Sequence, residues 1–334
     1  MSTFSDLLQA RGYLILDGAM GTQLFDAGLT AGDAPELWNL EHPDRVSDIH
    51  RSYVAAGSDI VVSNTFGGNR HRLKLHDLQG RVAEINAAGI RCARLAADEA
   101  ERQVLVAGSM GPTGELIEPL GALSEADTEA AFAEQAEALE AGGADLIWIE
   151  TLSDLPTVEA ALRGSRRATD LPVVATLSFD TAGRTMMGLT GTEAGRRLSE
   201  LGIDGIGANC GANLADTEAA VADIRDAAGD LPVASKANAG IPVWTGADLY
   251  YDGTPEVLAS HACRARDAGA NLIGACCGST PTHISMMADV LAGRTPVPDI
   301  GPPAGTRVDE SAIDPDHHRS GRRSGRRSGR RRQA

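Results

Sequence analysis

The chain has 334 residues, enough for two ordinary domains or for one large α/β barrel with a tail. With 43% hydrophobic residues, 38 Gly and 15 Pro it is neither collagen-like nor wholly disordered, and it has no apolar run of about 18 residues to span a membrane. The net charge of −16 hides a split: eight Arg fall in 319–334, and the remainder holds 22 bases against 46 acids, a balance of −24 that disfavours nucleic acid as a partner of the body.

The opening MSTFSDLLQARG lacks a basic stretch followed by an apolar one, so no secretion signal is expected and the chain reads as cytoplasmic. From residue 13 one rhythm takes over. Short β-branched apolar runs end in Gly or polar residues, and an Ala-rich amphipathic stretch follows each. The runs are YLILDGAMG (13–21), DIVVSNTF (59–66), VLVAGSMG (104–111), DLIWIET (145–151), PVVATLSFD (172–180), GIGANCG (205–211), PVASKANAG (232–240) and NLIGACCG (271–278). Their unbroken hydrophobicity suits strands buried on both faces of a parallel sheet. Between them lie helical stretches such as EADTEAAFAEQAEALEAGGA, with Gly at its stop. Gly57-Ser58-Asp59, Gly143-Ala144-Asp145 and Gly269-Ala270-Asn271 repeat one phrase: helix end, tight loop, strand start. Eight strands alternating with helices predict a TIM (β/α)8 barrel over 1–293, with a doubly wound open sheet as the alternative. PVPD and GPPAG predict an extended linker over 294–318. The Ser-Gly-Arg-Arg repeat of 319–334 has no apolar face, and it predicts a disordered basic tail.

In a parallel barrel the chemistry sits where the strands end. Asp17-Gly18 follows the first run, Asn64-Thr65-Phe66 the second and Glu150-Thr151 the fourth. Asn209-Cys210-Gly211 closes the sixth, Lys236-Ala237-Asn238 the seventh and Cys276-Cys277-Gly278 the eighth. Five cysteines, two of them adjacent, make a poor disulfide framework and suit metal ligands in a reducing compartment. Cys92 and Cys263 fall mid-helix and read as core filling. Cys210, Cys276 and Cys277 read as three thiolate ligands to Zn2+ with a fourth position open. Such a zinc is electron-rich, a weak activator of water and a good holder of a substrate thiolate, which favours alkyl transfer to sulfur over hydrolysis. Asp17 and Glu150 are the carboxylates placed to hold a substrate ammonium.

LDGAMGTQL, SDIVVSNTF, GPTGE, WIETLSD, GANCG, NAGIP and GACCG together resemble the homocysteine S-methyltransferase family, over about residues 10–292 and in family order. GDAPELWN, FGGNRHRLKLH, GPTGELIEPLGAL and SFDTAGRTMMGLT look most like its bacterial betaine–homocysteine members. The resemblance implies a zinc barrel with Cys210, Cys276 and Cys277 as ligands. It implies Asn238, the Asn of NAGIP, as a fourth ligand before substrate arrives. It also implies Asp17 and Glu150 as the site of the homocysteine amino group, with backbone amides of Gly18–Thr22 at its carboxylate. The substrates implied are homocysteine and a small methyl donor, glycine betaine first, and the products methionine and dimethylglycine. A homo-oligomer is compatible with this reading.

Two departures bear on the donor. The animal betaine enzymes have Tyr where this chain has Thr151, and Tyr again where it has Gly67. A quaternary ammonium wants aromatic faces. Trp38, in a loop expected to flap over the barrel mouth, is the first candidate, followed by Phe66, Trp244 and Tyr250. Asn64 is expected to line the substrate pocket. The alternative donors are S-methylmethionine, another sulfonium or a methyl-corrinoid protein. A Schiff-base aldolase using Lys236 and a non-enzymatic zinc-stabilised binding protein are the more distant alternatives.

Overall fold

The computed structural model describes residues 3–301 apart from 181, 241, 246 and 247, and the side chains of 242–250 lie outside the description. The Arg-rich tail and most of the linker therefore fall outside the described residues. The strands in chain order are β1 (Leu14–Ile15), β2 (Ile60–Val62), β3 (Leu105–Met110), β4 (Leu146–Leu152), β5 (Val173–Leu177), β6 (Gly205–Cys210), β7 (Val233–Ala237), β8 (Pro242–Thr245), β9 (Asp248–Tyr251) and β10 (Leu272–Ala275). Eight of them form one parallel sheet in the order β1-β10-β7-β6-β5-β4-β3-β2. A parallel bridge between Leu16 and Ile60 joins its two ends and closes the barrel. The expected TIM barrel is thus the fold, and the open-sheet alternative falls away.

Four short helices occupy the early loops or precede the barrel: α1 (Phe4–Arg11), α2 (Gly21–Asp26), α3 (Trp38–Glu41) and, after α4 (Pro43–Ala56), α5 (Arg70–Leu73). The outer ring is α4 with α6 (Val82–Asp98), α7 (Glu125–Gly142), α8 (Leu155–Ala168), α9 (Gly191–Glu200), α10 (Leu214–Ala227), α11 (Pro255–Asp267) and α12 (Pro281–Leu291). Helix starts follow capping chemistry: Ser124, Asp154, Asn213 and Thr254 each accept a backbone N–H of the first turn. Gly57 and Gly143 end α4 and α7 in the left-handed region, at φ 110° and 97°, as the repeated Gly phrase implied.

The acid or amide of that phrase has a second use. Asp59 accepts the Ile15 N–H, Asp145 that of Val106 and Asn271 that of Val233, at 3.0, 2.7 and 2.8 Å. Asp204, in the equivalent position before β6, accepts the Val173 N–H at 2.9 Å. The residue leading into each second strand so caps the strand before it, and the barrel is closed below in four pairs.

The barrel interior is filled by Leu14, Leu16, Ile60, Val62, Trp148 and Leu272, and Phe4, Leu7 and Leu8 of α1 pack into the same cluster. Helix α1 is therefore a plug on the N-terminal end of the barrel, held by a Thr3–Asp6 capping box. A larger cluster fills the space between sheet and helices. Cys92 and Cys263 are buried there, as expected. One element was not foreseen: β8 and β9 form an antiparallel hairpin between β7 and α11, above the barrel rim.

Candidate metal centre and substrate pocket

Cys210 ends β6, and Cys276 and Cys277 follow β10, with β7 between the two strands. Their sulfurs lie within 4.8 Å of one another. Cys210 Sγ is 3.0 Å from Cys276 Sγ, and Cys276 Sγ is 4.0 Å from Cys277 Sγ. Thiolates at about 2.3 Å from a tetrahedral ion would stand roughly 3.8 Å apart, so the spacing suits one metal. Charge gives a second test. Without a cation, Cys210 is pushed well above the usual thiol range by donating to Cys276 and Cys277, while Cys277 is held low by hydrogen bonds from those same thiols. The three share little negative charge until a divalent ion lets all of them ionise.

The local backbone is bent to present these sulfurs. Cys210 has φ 56°, a left-handed conformation rare for a side chain of this kind, and Gly211 follows at φ 80°. Gly278 stands at φ 78°, where a Cβ would meet the Tyr251 ring at 2.1 Å. Asn238 ties the two cysteine loops together: its amide donates to Gly211 O at 3.0 Å, and its Oδ1 accepts the Cys277 N–H at 3.1 Å. Asn209 Nδ2 lies 3.6 Å from Cys210 Sγ and 3.9 Å from Cys276 Sγ, and its Oδ1 accepts the Thr151 N–H. Tyr251, on the unforeseen hairpin, has its ring against Gly278 and helps hold the neighbouring Cys277 thiol low. The sequence signal for Tyr251 was only an apolar run beside a Gly turn, and it was hidden between two barrel repeats.

Beneath the cysteines is a cavity of about 390 Å³. Gly18, Met20, Glu36, Asn64, Phe66, Ser109, Glu150 and Lys236 are among the residues lining it. Lys236 lines it and forms a buried ion pair with Asp17, Nζ to Oδ1 3.2 Å. The other Asp17 oxygen accepts the Val62 N–H at 2.7 Å, so both oxygens are engaged. Burial pushes the Asp17 carboxyl up while Lys236 opposes it. Glu150 accepts from Ser109 Oγ, and burial pushes its carboxyl up to about 7 against the pull of Lys236. Lys236 is itself raised by Asp17 and Glu150, which outweigh burial. It is thus an ammonium in the resting site, which disfavours the imine chemistry of the aldolase alternative.

Gly18 admits no side chain, because a Cβ there would lie 2.5 Å from Ser279 Oγ. The Ala19 amide is already engaged by Ser279 Oγ at 3.0 Å. Tyr53 donates to Ala19 O at 2.7 Å, fixing this turn against the cysteine loop. Asn64 lines the cavity, yet its amide donates to Pro35 O and Asn39 Oδ1. The sequence set Trp38 over the mouth. In the structure it is buried at the head of α3, edge-on to His42 at 4.6 Å, with the Arg45 guanidinium 5.3 Å from its ring centre. From the same segment Glu36 and Pro35 line the cavity, as does Phe66. The side chains of Trp244 and Tyr250 lie outside the described residues.

The family model for homocysteine S-methyltransferase matches residues 14–291. The chain belongs to the homocysteine S-methyltransferase family. Among curated proteins it is similar to the methionine synthases of Mycobacterium tuberculosis, 37% identical over 302 residues, and Mycobacterium leprae, 35% over 305. Each match covers 86% of this chain and 25% of the relative, so the chain spans about a quarter of the length of the curated relatives it matches. Among solved structures it resembles the Escherichia coli homocysteine methyltransferase MmuM. The oxidized form matches with TM-score 0.69 and 25% identity, covering 88% of this chain and 100% of that one. The metallated form matches with TM-score 0.70 at 24% identity, over 86% and 98%, and supports the fold alone.

Proposed function

We propose that this protein transfers a methyl group from glycine betaine to the thiol of homocysteine, giving methionine and dimethylglycine. The observation that carries the reading is the three-thiol cluster opening onto a cavity that also holds Glu150 and Lys236. Cys210, Cys276 and Cys277 would hold Zn2+, and the ion would keep the substrate thiol deprotonated at neutral pH. Glu150 would take the homocysteine ammonium. Asp17, spent on Lys236 and Val62, would act through Lys236. The transfer forms an S–CH3 bond and breaks an N–CH3 bond. The nitrogen keeps the electron pair and leaves as a neutral amine, and the thiol proton goes to solvent. Holding both reactants in line supplies much of the acceleration.

The size of the cavity supports a small donor. About 390 Å³ suits two small zwitterions, whereas a corrinoid would have to present its methyl from outside the mouth. Phe66 supplies an aromatic wall for the trimethylammonium group. The test is a donor panel with homocysteine: glycine betaine, S-methylmethionine and a methyl-corrinoid protein. Methionine formed with betaine, together with about one zinc per chain that is lost in Cys210→Ala, is the expected result. Methionine formed only from the sulfonium or the corrinoid would overturn the donor, and stoichiometric zinc in Cys210→Ala would remove the metal centre.

A further inference from the structure

Lys236 is the only residue with a permanent positive charge among the described residues that line the cavity. It is 3% exposed, at the end of β7. An ammonium has three N–H donors. Among the described residues its only hydrogen-bond acceptor is Asp17 Oδ1, and its Nζ otherwise stands 5.9 Å from the Trp148 ring centre. Its remaining N–H donors are directed to the cavity side, where a ligand oxygen can accept them. Glu36, Glu150 and three sulfurs share the wall, and so do Gly21 and Thr22 at the start of α2, where Thr22 Oγ1 is buried without a partner among the described residues. The backbone turn that could have served a carboxylate is partly used, because the Ala19 amide is held by Ser279.

We infer that Lys236 is a substrate-binding residue whose ammonium takes the carboxylate of a zwitterionic substrate. The inference rests on the proposed reading of the site, since both homocysteine and betaine carry a carboxylate. Glu150 and Lys236 together then present a negative and a positive group to the positive and negative groups of an α-amino acid. Asp17 holds the lysine in place and is a positioning residue.

The experiment compares binding by calorimetry on the zinc-loaded protein. The acceptor arm uses homocysteine and 3-aminopropane-1-thiol, which lacks only the carboxylate. The donor arm uses glycine betaine and choline. Wild type should bind the carboxylate ligand at least roughly 30-fold more tightly in one arm. Lys236→Met should bring that ratio within about threefold, while the affinity for the carboxylate-free ligand stays nearly level. Lys236→Arg should keep most of the ratio. Collapse in the acceptor arm assigns the homocysteine carboxylate, and collapse in the donor arm assigns betaine. Equal losses for both ligands of each arm, or a ratio unchanged by the substitution, would overturn the inference and leave Lys236 a structural ion-pair member. Should Lys236→Met not fold, Lys236→Gln carries the same comparison, because its amide still reaches toward Asp17. If wild type binds neither homocysteine nor betaine, the proposed function itself falls, and the role of Lys236 with it.

Discussion

At the scale of single residues, the groups around the cysteines are as informative as the cysteines themselves. Thiolates packed this closely need donors that spread their charge. Tyr251 helps hold the Cys277 thiol low, Asn209 approaches Cys210 and Cys276, and Asn238 fixes the Cys277 backbone. Removing such a partner weakens metal affinity by about 10–100-fold in comparable sites. Tyr251→Phe should therefore lose zinc to a competing chelator at roughly tenfold lower chelator concentration, with an unchanged melting curve for the zinc-free protein. Unchanged chelator competition would make the tyrosine a packing residue. The cysteines and Glu150 were legible because each follows an apolar run. The engagement of Asp17 was not legible, since it depends on three strands, β1, β2 and β7, meeting at one carboxylate. Trp38 and Glu36 show the same limit. They are two residues apart in one short helical turn, and nothing local says which of them faces the cavity and which faces α4.

At the scale of elements, the repeated Gly-x-Asp/Asn phrase was readable as a strand start, and its capping of the preceding strand was not. Sequence shows the periodicity, but the acceptor of a side chain lies in another repeat. The four caps are also unequal. Asp204 is half-exposed and supports one amide, beside Arg166 at 3.7 Å. Asp59 is 4% exposed and receives Ile15 N–H, Arg11 and Arg102 together. Removing Asp59 leaves the buried Ile15 N–H without its acceptor and takes the shared partner from two guanidinium groups that are about one-third exposed. Asp59→Ala should cost about 2 kcal/mol of unfolding free energy, whereas Asp204→Ala should cost about 1 kcal/mol. Urea denaturation of both variants measures the difference, and equal losses would sink the distinction. The β8–β9 hairpin escaped the sequence reading for a different reason: a strand count tuned to one strand per helix has no place for an insertion.

At the scale of the whole molecule, the barrel carries one marked acid sensitivity away from the site. His50, on the buried face of α4, is fully buried, and neither ring nitrogen has a hydrogen-bond partner among the described residues. Burial pushes its imidazole down to about 3. An unfolded histidine titrates near 6.5. Above that pH the group is neutral in both states and contributes no pH dependence. Below it the unfolded chain takes a proton that the native state refuses, so stability falls as pH drops from about 6.5 toward 3. The loss is about 2 kcal/mol by pH 5. His50→Leu should therefore flatten the stability change between pH 7 and pH 5 by about that amount relative to wild type. Equal slopes in the two proteins would show that the ring finds a partner. Barrel architecture was legible at this scale from eight apolar runs, and the plug was not. Helix α1 precedes the first run, and nothing local to Phe4, Leu7 and Leu8 says that they pack against the barrel interior.

The seam of the barrel carries a mechanical consequence. The strands β1 and β2 meet through the Leu16–Ile60 bridge, and Asp17 spans the gap above it by taking the Val62 N–H. One carboxylate is thus a link in the hoop and the tether of the lysine that lines the cavity. Its two oxygens divide the work, Oδ2 at the seam and Oδ1 at Lys236, so a substitution of Asp17 disturbs the closure of the barrel and the placement of the cavity's cation together.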